Sequence, residues 1–168
     1  MTWQPGKDTI TGLLAAGDLD RVTPDGEVAR RLLEDAGRHL STAAAAGGAG
    51  DLSGAFQLAY DAFRKSAASL LAVQGLRATS RGGHLAVQDA VIAQFGASVR
   101  VFRSFSRIRR ARNTFEYPGS GTPGPGIDDV ADAIESATGP ATRRPSSSPR
   151  MSSHPGDTGA RQRTWQAG

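Results

Sequence analysis

Residues 51–75, DLSGAFQLAYDAFRKSAASLLAVQG, decide the fold. Phe56, Ala59 or Tyr60, Phe63, Ala67, Leu70 and Leu71 recur at the spacing of one helical face. Asp51 or Ser53 can cap the start, and Gly75 can close the end. This is the strongest helix pattern in the chain, and its apolar stripe must be buried against neighbours.

The neighbours lie on both sides. Upstream, Pro24, Asp25 and Gly26 open a helix with Pro in its first turn. Its stripe is Val28, Leu32, Ala36, Leu40 and Ala43, broadened by Leu33, and Gly47 and Gly48 end it. Residues 8–17 form a short helix ahead of it. Downstream, a loop, GLRATSRGG (75–83), leads into a helix that starts near Gly83 or His84. That helix carries Val87, Val91 and Phe95, with Leu85 and Ile92 beside them, and stops at Gly96. A last core helix over 100–117 shows Val101, Phe105, Ile108, Arg112 and Phe115 in helical steps. Pro118 ends it, because the residue before a proline avoids the helical region.

Residues 119–126 read as a turn-rich linker, and 127–137 as a short helix, acidic at its start as the helix dipole favours. Beyond Gly139 no periodicity remains, and 140–168 read as a disordered tail. No run reads as a strand, and no internal repeat is visible. The expectation is an all-α fold, an antiparallel helical bundle of four main helices with short flanking helices and a disordered C-terminal tail. It divides into an N-terminal arm with a short helix (1–22), the bundle (23–118), a linker with a short helix (119–139) and the tail (140–168).

Composition sets the outer limits. The chain has 168 residues and 38% hydrophobic content, which suits a core of about 100 residues with polar extensions. It has no cysteine, so disulfides and thiolate metal sites are excluded. That usage fits a reducing, cytoplasmic setting. No metal-ligand spacing occurs, and no cofactor is implied. No apolar run approaches the ~20 residues of a membrane span, and the first ten residues do not read as a secretory signal. Basic residues are Arg almost throughout, with Lys only at Lys7 and Lys65. A GC-rich genome explains such a bias as readily as phosphate recognition does.

Charge is localised. Residues 100–117, RVFRSFSRIRRARNTFEY, hold Arg100, Arg103, Arg107, Arg109, Arg110 and Arg112 against the single acid Glu116. Residues 1–99 hold nine basic and ten acidic groups, and 118–168 hold five of each. The formal excess of +4 therefore resides in one helix. Arg103, Arg107, Arg109 and Arg110 read as a face for RNA or phosphate, or simply as a solvated surface. Arg112 is different, because it interrupts the apolar stripe. Such an arginine pairs with Glu116 four residues on, snorkels to the bundle edge, or reaches a cleft. Asn113, a poor helix former, lies four residues before Tyr117, so Arg112, Asn113, Glu116 and Tyr117 gather at one helical end.

The order of elements, with RARNTFEYP (110–118) late in the last core helix and GLRATSRGGHLAVQDA (75–90) before a helix with an initial His, resembles the HEPN superfamily of helical bundles. The resemblance covers residues 25–118. It implies a homodimer, and either a metal-independent endoribonuclease, often a toxin or defence protein, or a catalytically silent protein that binds RNA, nucleotides or partners. The ribonuclease signature is Arg, often a polar residue, and then His after four to six positions. Arg112 and Asn113 match the first two, but Tyr117, Pro118 and Gly119 stand where the His belongs. Imidazole moves protons near neutral pH, whereas tyrosine, with a reference pKa of about 10, is a weaker base. The resemblance therefore supports phosphate clamping by Arg112 more than hydrolysis. Some relatives are silenced by a nucleotidyltransferase that modifies a tyrosine near this motif, and Tyr117 lies in that neighbourhood, although the His-x-Tyr order is missing.

Of the three histidines, His39 reads as a solvated or core-edge residue and His154 falls in the tail. His84 either starts its helix or, if a dimer brings it to Arg112, replaces the missing base. The glycines of SRGGH provide a tight turn rather than a phosphate loop, and Asp18 and Asp20 fall in an expected turn. Three functions follow. The chain is a non-catalytic or weakly catalytic HEPN-like module binding RNA, a nucleotide or a partner such as an antitoxin. Alternatively it is an endoribonuclease toxin using Arg112, Asn113 and Tyr117, or a helical adaptor with no nucleic-acid role.

Overall fold

A computed structural model describes residues 5–95, 104–117 and 123–142, with the side chains of 140–142 left aside. Among the described residues, six helices and two short strands run in the order α1 (Lys7–Ala15), β1 (Leu19–Arg21), α2 (Gly26–Gly48), α3 (Leu52–Ala72), β2 (Leu76–Ala78), α4 (Gly83–Phe95), α5 (Phe105–Glu116) and α6 (Ile127–Thr142). The fold is all-α apart from one small ribbon.

Helix α3 is the centre, as its stripe demands. Ala55, Phe56, Ala59, Tyr60, Ala62, Phe63, Ala67 and Leu71 are all buried along it. It packs most extensively on α2, then on α6, and also on α4 and α5. Asp51 is its cap, accepting from the Gly54 amide at 2.8 Å. Asp25 caps α2, accepting from the Glu27 and Val28 amides at 2.9 Å each. Helix α2 therefore begins at Gly26, and Pro24 stands just outside the helix rather than in its first turn. Ala29, Ala36 and Ala43 form the buried line of α2, so it approaches α3 through small side chains. The intervening Leu32 and Leu40 are only half-buried.

Helix α6 is longer than the pattern over 127–137 indicates. Val130, Ala133 and Ala137 sit in the common core, against α3 and α2. These residues are mostly small, and a short alanine-bearing stripe gives a weak periodic signal. Its backbone stays helical to Thr142, into the first residues of the expected tail; the rest of that tail lies outside the described residues.

The sequence pattern shows no strand, but residues around Asp20 pair antiparallel with those around Arg77. The register is Leu19 with Ala78, Asp20 with Arg77 and Arg21 with Leu76. Arg77 Nη2 reaches Asp20 Oδ2 at 3.2 Å across it. Three residues per strand are too few to show alternation, which explains why the pairing is invisible in the sequence. No helix among the described residues is long and apolar enough to cross a membrane.

The ribbon fixes where α4 starts. The Thr79 amide donates to Asp18 O at 3.0 Å, and Thr79 Oγ1 donates to Gly17 O at 2.8 Å while accepting from the Gly82 amide at 3.1 Å. Gly82 lies so close to this turn that a Cβ there would stand 2.2 Å from Asp18 O. The glycine is thus required by a backbone contact, and that contact places His84 at the head of α4.

Candidate functional site

The site is built around Tyr60, in the middle of α3. Its ring is buried, only 3% exposed, and sits 6.2 Å from the Phe105 ring at the start of α5. Phe105 in turn packs on Phe63 with centroids 4.4 Å apart. At the other end of α5, Phe115 meets Phe56 edge-on at 5.1 Å. These aromatic contacts and buried Ile108 hold α5 along α3, so its arginines are presented at a defined position.

Arg112 lies over Tyr60, with its guanidinium carbon 5.7 Å from the ring centroid. Its Nε donates to Gln57 Oε1 at 3.2 Å, and its Nη1 pairs with Glu116 and approaches Asn113 Oδ1 at 3.5 Å. The side chain is 20% exposed. The ion pair anticipated between Arg112 and Glu116 is present, and ring and amide partners on α3 accompany it. A guanidinium can stack on a ring while its edge donates, which an ammonium cannot do.

His84 borders the same ring, edge-on to Tyr60 with centroids 6.3 Å apart. His84 and Arg112 therefore come together within one chain, through Tyr60, without a second copy. Burial holds the imidazole below its ordinary value, and the nearby charges of Arg64 and Arg112 act in the same direction. The Tyr60 phenol is pushed up by burial, against the opposing pull of Arg112, Arg64 and Arg109. Three arginines thus act on one buried hydroxyl.

The remaining arginines divide. Arg109 is half-buried, and its Nε is enclosed with no hydrogen-bond partner among the described residues. Arg110 is exposed. Arg107 is held by Asp132 of α6 at 2.9 Å, an exposed pair that ties the two helices together. Arg103 lies outside the described residues. Asn113 is exposed, and Tyr117 is 74% exposed at the end of α5, outside the packed cluster. Only the backbone joins these two, through the Tyr117 amide and Asn113 O at 3.1 Å.

Four participants do not emerge from the sequence reading. Gln57, Tyr60, Asp61 and Arg64 all come from α3, where Tyr60 reads as one more core position. Arg64 donates to Asp61 Oδ1 from Nε at 3.0 Å and from Nη2 at 2.8 Å. His39 Nδ1 lies 3.3 Å from Asp61 Oδ2, at the core edge where the sequence places it. A usable signal exists in hindsight, since Tyr60 and Arg64 are four residues apart and share a helical face. Chemically, the arrangement offers guanidinium donors for an anion, an aromatic support and a neutral imidazole. No protein-family model, curated protein or solved structure matches the chain.

Proposed function

We propose that this chain is a non-catalytic, HEPN-like module that binds RNA or nucleotide phosphates through the cationic face of α5. One observation carries the reading. Arg112 lies over the Tyr60 ring beside His84, Arg109 pulls down the pKa of the same phenol by its charge, and the Arg109 Nε is enclosed with no partner among the described residues. Buried donors left unpaired are costly, and a phosphate that draws the Arg109 side chain outward would satisfy this one. Arg110, next in the helix, is exposed and adds a further positive charge to α5. Tyr117, 74% exposed, stands outside the packed cluster at the position where the ribonuclease signature has its His, which favours binding over cleavage. Homodimerisation and control by an antitoxin or nucleotidyltransferase belong to this reading as further proposals that rest on the resemblance.

The test is retention of labelled single-stranded RNA at increasing salt. Binding that weakens steeply with salt, and that falls at least tenfold in the double variant Arg109→Ala with Arg110→Glu, is the expected result. Salt-independent retention, or no loss in the variant, overturns the reading and leaves a helical adaptor.

His84 favours a second reading, a metal-independent endoribonuclease. Its lowered pKa leaves a neutral imidazole that can accept a proton, and it shares the Tyr60 ring with Arg112. RNA cleavage that survives EDTA and is lost in both His84→Ala and Arg112→Ala would select this reading.

A further inference from the structure

Beside His84, the ribbon and three helices line a half-open cavity of about 630 Å³ to which no residue of α5 contributes. Its floor is the second half of α3, with Ala68, Leu71 and Ala72. One wall is the start of α2, with Val28 and Leu32, and the other is Leu76 and Ala78 of β2 with Val87 of α4. The space exists because Ala68, Ala72, Ala78 and Gly83 are too small to fill the gap between these elements. Its volume falls within the range of about 300–1,000 Å³ typical of small-molecule sites.

The charges on its rim are not equivalent. Asp25 spends its carboxylate on the α2 amides, and Arg77 is bound to Asp20 across the ribbon. Arg64 uses Nε and Nη2 on a single oxygen of Asp61, so its Nη1 edge carries no bond within the described residues. His84 stands on the same rim. The lining therefore offers N–H donors from Arg64 and His84, and the hydroxyl residues Thr23, Thr79 and Ser80, beside an aliphatic surface from α2, α3 and β2. No Phe, Tyr or Trp lines it, so it lacks the stacking surface that a nucleobase requires.

We propose that this cavity binds an amphipathic aliphatic carboxylate, with the chain between α2, α3 and β2 and the carboxylate on Arg64 and His84. Burial of the alkyl chain supplies most of the affinity, and the guanidinium edge sets the polarity of the head group. The ligand differs from RNA, and the cavity shares Arg64 and His84 with the surroundings of Tyr60, so the two proposals are tested by separate titrations. A carboxylate beside His84 also favours the imidazolium, so binding raises the His84 pKa towards its ordinary value.

The experiment is calorimetric titration of the full chain with decanoate, and with decanol as an uncharged chain of the same length. Decanoate should bind at least tenfold more tightly than decanol, and Arg64→Gln should bring the two within about threefold, as expected for loss of a charge-assisted contact. Val28→Trp, which fills the cavity from its half-buried rim, should abolish binding of both, with circular dichroism showing that the helices remain. If Val28→Trp does not fold, Ala68→Leu provides the same block from the floor. An NMR titration of His84 should move upward with decanoate and not with decanol. No heat with decanoate, equal affinity for decanol in the unaltered chain, binding undiminished by the blocking variant, or an unmoved His84 would each overturn the assignment.

Discussion

The guanidinium of Arg112 sits over the ring of Tyr60, 5.7 Å from its centroid, and joins the last helix of the arginine-rich segment to the middle of the core helix. An arginine on an apolar stripe is thereby given a ring, an amide from Gln57 and a carboxylate from Glu116. Its removal therefore affects packing and charge together.

Arg112→Ala should lower stability by about 1–2 kcal/mol, combining a partly desolvated cation–π contact with a helix ion pair. Urea unfolding should show a lower midpoint with an unchanged slope. Arg112→Lys should recover only part of the loss, because an ammonium cannot stack on Tyr60 and donate to Gln57 at once.

Phe63→Ala tests the seat of α5. Phe63 is fully buried and its ring lies 4.4 Å from that of Phe105. A loss of about 3–5 kcal/mol is expected for such a truncation. Hydrogen exchange should show α5 opening more readily than α2, whose contacts with α3 are far more extensive.

Gly82→Ala should destabilise the chain by about 1–3 kcal/mol through overpacking, since the new Cβ would stand 2.2 Å from Asp18 O. The change should also displace His84, seen as an altered imidazole chemical shift. Gly48→Ala, at a site with open space around it, should be harmless by comparison.

The pH dependence of His84 has a definite sign. Its folded pKa lies below the ordinary 6.5, so the unfolded chain binds more protons as the solution is acidified. Its contribution to stability is complete above about pH 6.5 and is lost as pH falls from there through the folded value. Unfolding measured from pH 8 down to pH 5 should show a slope that flattens in His84→Asn. An unchanged slope would mean that other groups carry the acid sensitivity.

Much of the bundle was legible because helices announce themselves by period. The stripe from Phe56 to Leu71 predicts α3, and Asp51, one of two cap candidates with Ser53, is the cap that the structure uses, whereas the cap of α2 at Asp25 came only from the structure. The pairing of Arg112 with Glu116 also follows from helical spacing alone. The ribbon was not legible, since Leu19–Arg21 and Leu76–Ala78 are too short for alternation and their pairing joins segments far apart in the chain. The extent of α6 was hidden for a related reason, as its core contacts are Val130, Ala133 and Ala137, with little apolar bulk to reveal a stripe.

The candidate site divides along the same line. Sequence alone determined that positive charge is concentrated in one helix and that Arg112 occupies an inward position on it, because both are properties of local order and period. Only the tertiary structure decided what Arg112 meets. Tyr60, Gln57 and Glu116 receive it, Asp132 takes Arg107 at 2.9 Å, and His84 arrives through a turn fixed by Thr79 and Gly82. Those partnerships depend on which helices pack together and in what register, and helical periodicity specifies the face of each helix but not the neighbour it finds.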